Sequence, residues 1–175
     1  MSSQAMYSKV QLKGHPIHPM LVSFPIALYT SGVVGLIVYI ATRDTFWYRA
    51  SMTVLLAGAA MAALAAVPGL IDLFFGIPRN EKRARTTGVI HMCLNVASLA
   101  LFAGAGFSML MAWQHPAGTE YYLPYTLPLT LGIIGIALTG AAGYFGWKLV
   151  QTHHVGISET PQLEARTPAF EAGLP

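Results

Sequence analysis

The chain has 175 residues, of which 54% are hydrophobic and 10% charged, against roughly 25% charged in an average soluble domain. That balance excludes an ordinary soluble fold, and four long apolar stretches leave room for one membrane-embedded unit without a separate soluble catalytic domain. The net charge of +3 does not imply nucleic acid, because the basic residues lie between the apolar stretches. The single cysteine, Cys93, excludes an intramolecular disulfide and a zinc site built on several thiolates.

Residues 1–14 are polar, carry Lys9 and Lys13, and have no apolar core, so neither a cleaved signal peptide nor an amphipathic surface helix is expected there. Spans follow at about residues 19–41, 47–75, 87–113 and 124–150, each long enough for the roughly 20 apolar residues that a crossing needs. The expected fold is an all-α membrane protein, an up-down-up-down four-helix transmembrane bundle over residues 1–157, with a disordered tail over residues 158–175 that is too polar to bury itself.

Positive loops resist translocation. Lys9, Lys13, Arg79, Lys82, Arg83, Arg85, Lys148 and Arg166 fall on the side of the termini, and only Arg43 and Arg49 on the other. The reading is a multi-pass protein of the bacterial inner membrane with both termini and the 79–85 loop cytoplasmic, and residues 43–49 and 115–122 outward.

Polar side chains within or against the spans need a partner or a task. His15 and His18 precede the first span, Asp72 lies near the end of the second and His91 one turn inside the third, all at cytoplasmic depth. Helical spacing aligns Gly58, Ala62, Ala65, Gly69 and Asp72 on one stripe of the second span. Thr87, His91, Asn95 and Ser98 align on the third, and Gly132, Gly135, Thr139, Gly143 and Gly146 on the fourth. Pro19 suits a first helical turn, leaving His18 at the cap and His15 on an extended approach. Pro25 and Pro68 remove helical hydrogen bonds close to the same level.

The segments GHPIHPMLVSFPIAL, PGLIDLFFGIP, TGVIHMCLN and GWKLV resemble a bacterial four-span transmembrane family catalogued as domain of unknown function 2231, over about residues 14–156. The resemblance implies no reaction by itself. Some members carry this unit beside an iron–sulfur Rieske domain, which implies electron transfer as one context.

Three readings of the site follow. In the first, His18 and His91 are axial ligands of a b-type haem, with His15 as the alternative ligand, Asn95 beside His91 on its stripe, and Arg83, Arg85 and Lys13 meeting the propionates. In the second, His15, His18, Asp72 and His91 hold zinc, iron or copper. In the third, the chain is a cofactor-free structural subunit of a larger membrane complex, its polar residues cross-linking helices or capping them. His91 then bonds Asp72, or Asp72 pairs with Lys148 or an arginine of the basic loop. His153 and His154 read as ordinary residues after the last span. Expected partners are the lipid bilayer and a redox protein or membrane complex, without nucleic acid. No phosphate loop, HExxH or serine elbow marks an enzyme, and nothing suggests the inverted repeats of a transporter.

Overall fold

The computed structural model describes residues 6–115 and 123–157. The expected disordered tail and most of the 115–122 loop lie outside the described residues. Four helices are long and apolar enough to cross a membrane: α1 (Ile17–Thr42), α2 (Thr45–Ile71), α3 (Lys82–Gln114) and α4 (Thr126–Gln151). A π-helical turn, Asp72–Gly76, extends α2. Before α1, a two-stranded hairpin pairs β1 (Gln11–Leu12) with β2 (His15–Pro16). Its turn residues Lys13 and Gly14 both have positive φ, 49° and 84°, as a tight hairpin turn requires.

Two helix boundaries differ from the sequence expectation. The helix α3 begins at Lys82, so Lys82, Arg83 and Arg85 are helical rather than part of a loop. Hydropathy marks where hydrocarbon starts, and nothing between Lys82 and Thr87 breaks a helix. The helix α1 begins at Ile17 with Pro16 at its cap, placing His18 inside the first turn rather than at the cap. Pro19 is tolerated there because first-turn N–H groups have no intrahelical partner.

The chain packs as two hairpins. Across the first, His18 lies against Gly69, Gly32 against Leu55 and Gly35 against Ser51; across the second, His91 lies against Gly146 and Phe102 against Gly135. Added Cβ atoms on Gly32 and Gly35 would come within 2.6 Å of those neighbours. Lipid offers little hydrophobic drive for helix association, so close approach through small residues supplies the contact energy.

The hairpins are related as a direct repeat. His18 meets His91, and Tyr29 stacks on Phe102 at 3.7 Å, both pairs separated by 73 residues. On the outer helices, Gly58 and Gly135 back onto Tyr29 and Phe102, and Gly69 and Gly146 onto the two imidazoles, each pair 77 apart. Side chains from equivalent positions thus meet each other between the hairpins.

Two apolar clusters flank the histidine layer. The larger contains Tyr29, Leu36, Tyr39, Tyr48, Leu55, Phe102 and Met109. The smaller packs Met6 with Leu73, Ile77 and Ala84, drawing the N-terminal segment over the bundle end. Gly156 N–H donates to the Met6 carbonyl at 2.7 Å and Ile17 N–H to that of Val10 at 3.0 Å, fastening the segment.

Candidate functional site

The first turn of α1 carries His18 onto α2, where its Nδ1 lies 2.8 Å from the carbonyl oxygen of Ala65. A carbonyl only accepts, so Nδ1 bears a proton, and a neutral ring so held has its lone pair on Nε2. Gly69, one turn further along α2, leaves room for the ring, since a Cβ there would lie 2.8 Å from it.

The helix α3 repeats the arrangement. His91 Nδ1 lies 2.8 Å from the Ala142 carbonyl oxygen, and a Cβ on Gly146 would come within 3.0 Å of that ring. The proton again sits on Nδ1. Both residues are half-buried, with ring centroids 6.1 Å apart and planes at 90°. Among the described residues, His18 Nε2 makes no hydrogen bond. The Asn95 amide nitrogen lies 3.2 Å from His91 Nε2 and 2.8 Å from the His91 carbonyl.

Below this layer, Ser98 and Thr139 share a 2.7 Å hydrogen bond between α3 and α4, so those two stripes face each other as the spacing implies. Gly143 departs from its stripe: no atom lies within 4 Å of a Cβ built there.

Asp72 and His15 are not part of the pair. The Asp72 carboxylate accepts from Ser8 Oγ at 2.7 Å and from the backbone N–H groups of Lys9 and Val10 at 2.6 and 3.4 Å. The expected bond to His91 is replaced because the N-terminal segment supplies donors to both carboxylate oxygens, just where α2 passes into its π-helical turn. His15 is exposed and donates from Nδ1 to the Lys13 carbonyl within the hairpin. Among the described residues, no three His, Cys, Asp or Glu side chains gather into a metal-binding group, so the four-residue set of the second reading does not assemble.

The two arginines part company. Arg83 lines an outward groove between α3 and α4, whereas Arg85 is half-buried with its Nη1 lacking a hydrogen-bond partner among the described residues. Lys13 occupies the exposed hairpin turn. His153 is no bare tail residue. Thr87 Oγ1 donates to the Arg83 carbonyl at 3.0 Å and therefore accepts from His153 Nε2, 3.2 Å away. The sequence carried no signal for that contact, because His153 follows α4 in a turn outside any helical stripe.

Spanning helices in two matched hairpins, each presenting one oriented imidazole to the other, define the chain as a four-helix membrane protein with a paired-histidine layer. It belongs to the family of predicted membrane proteins DUF2231, whose profile matches residues 14–159. No curated protein and no solved structure matches the chain.

Proposed function

We propose that the protein binds a b-type haem between His18 and His91 and passes electrons within the membrane. One observation carries this reading: both imidazoles are held through Nδ1–H by a backbone carbonyl, which fixes tautomer and ring orientation and leaves Nε2 of His18 unbonded among the described residues, while Nε2 of His91 meets only the Asn95 amide nitrogen, at 3.2 Å. His18 and His91, with ring centroids 6.1 Å apart, would be the two residues to hold the haem iron. Two nitrogens are too few for a bare zinc ion, which draws three or four ligands from protein. They suffice for a haem, whose macrocycle supplies the rest.

The protein's contribution is orientation and charge. The carbonyls of Ala65 and Ala142 hold the rings, Gly69 and Gly146 give them clearance, and Asn95 lies beside the His91 ring. Arg85 Nη1, without a hydrogen-bond partner among the described residues, suits a propionate carboxylate. Bound haem supplies a reversible one-electron couple, to be exchanged with a redox protein or membrane complex. The setting proposed is the bacterial inner membrane with both termini cytoplasmic, from the distribution of Lys and Arg.

One observation also favours a cofactor-free structural role. The same Nδ1 bonds tie α1 to α2 and α3 to α4, and 6.1 Å lies within ordinary ring-edge contact. A visible spectrum of purified protein, with iron analysis, decides between them. The haem reading expects a Soret band that is lost in His18→Ala and in His91→Ala; a colourless, iron-free protein after expression with added haem precursor would overturn it.

A further inference from the structure

A groove on the outer face of the second hairpin is independent of the histidine pair. From α3 it is lined by Lys82, Arg83, Thr86 and Thr87, and from α4 and the turn after it by Lys148, Thr152 and His153. Its inner end is walled by Ile90 and Phe145. Residues 82, 86 and 90 recur on one face of α3, and residues 145 and 148 on one face of α4 with Thr152 at its C-cap, so two facing stripes run from charge at the helix ends to apolar side chains within the spans.

We infer that this groove binds the phosphate of an anionic phospholipid, with an acyl chain laid along Ile90 and Phe145. Two lysines and an arginine line it together, and among the described residues no carboxylate forms an ion pair with Lys82, Arg83 or Lys148. The cap residue Glu81 makes no side-chain hydrogen bond to the start of α3. Thr87, by accepting from His153 Nε2, holds that imidazole as part of the wall. Basic pockets between helices at a membrane surface suit acidic headgroups.

Depth separates a lipid from a free anion. Residue 90 lies about 12 Å along the helix from residue 82, at about 1.5 Å per residue, so the groove continues past any headgroup into hydrocarbon. A free phosphate would occupy the mouth alone. An amphiphile uses both ends.

Native mass spectrometry of the full chain, released from detergent with added lipid, tests the inference. Phosphatidylglycerol should be retained at least tenfold more tightly than phosphatidylcholine, and millimolar inorganic phosphate should not displace it. Arg83→Gln with Lys148→Gln should lower phosphatidylglycerol retention about tenfold, while Arg79→Gln, which removes a charge at the same end outside the groove, should leave it unchanged. Phe145→Ala should weaken the lipid and not inorganic phosphate. Equal retention of the two lipids, or full displacement by phosphate together with an unaffected Phe145→Ala, would overturn the assignment. The lipid comparison uses the unaltered protein, so it stands even if a variant fails to fold.

Discussion

Tyr29 and Phe102 stack at 3.7 Å with their planes 13° apart, and each ring is backed by a glycine of the neighbouring helix in its own hairpin, Gly58 for Tyr29 and Gly135 for Phe102. The two rings are fully enclosed by the bundle. They meet between the hairpins below the histidine layer, one ring from α1 and the other from α3.

Gly58→Ala and Gly135→Ala should therefore each destabilise the bundle, because a Cβ would lie 2.9 and 2.8 Å from the respective ring. Overpacking of this kind costs about 1–3 kcal/mol. Thermal unfolding in detergent should show both variants melting earlier than wild type, and by similar amounts, since the repeat gives them equivalent surroundings. Gly140→Ala serves as the control, as no atom lies within 4 Å of its added Cβ.

At the histidine layer, on the proposed haem reading, glycine substitution should lower cofactor content as well as stability. Gly69→Ala pushes a Cβ to 2.8 Å from the His18 ring, and Gly146→Ala to 3.0 Å from the His91 ring. Each ring is held by its Nδ1 bond and must tilt to escape. Haem per protein, read from the Soret absorbance, should fall in both variants and further in Gly69→Ala. Unchanged haem content in both would mean that the ring orientations imposed by Ala65 and Ala142 are irrelevant to binding.

The spans were legible because 20-residue apolar runs leave few alternatives, and the inward direction of His91, Ser98 and Thr139 was legible because helical spacing is rigid. The direct repeat was not. His18 and His91 share little flanking sequence beyond a preceding isoleucine and a leucine three residues on, and what the hairpins have in common is space, expressed as glycines at 58, 69, 135 and 146 that read as a general packing seam. The misplacement of Asp72 has a different origin. Spacing correctly put it at the level of the histidines, but the donors that claim it come from residues 8–10, an irregular segment whose path over the bundle end no periodicity encodes.

Asp72 is accordingly expected to secure the N-terminal segment. Bonds to a charged acceptor contribute about 1.5–3 kcal/mol each, so Asp72→Ala should release residues 8–10 while the helices persist. Hydrogen exchange at the Lys9 and Val10 amides should accelerate by at least tenfold, with the Soret band retained. Loss of the band with unchanged exchange would instead return Asp72 to the cofactor site.

The last expectation concerns orientation. Eight of the ten Lys and Arg residues fall at the histidine end or in the segments attached to it, and such an excess holds loops in the cytoplasm. The two remaining cations, at the opposite end, lie over aromatic rings, Arg43 5.2 Å from the centroid of Tyr125 and Arg49 5.1 Å from that of Trp113, an arrangement that either interface accepts. Arginines laid over aromatic rings at a helix end act as interfacial anchors. In a Cys93→Ser background, a cysteine replacing exposed Asn80 should resist a membrane-impermeant thiol reagent in intact cells and react after lysis, whereas one replacing exposed Phe46 should react in both. The reverse pattern would turn the paired imidazoles toward the outer face, and the proposed electron donor or acceptor would then have to be sought on that side of the membrane.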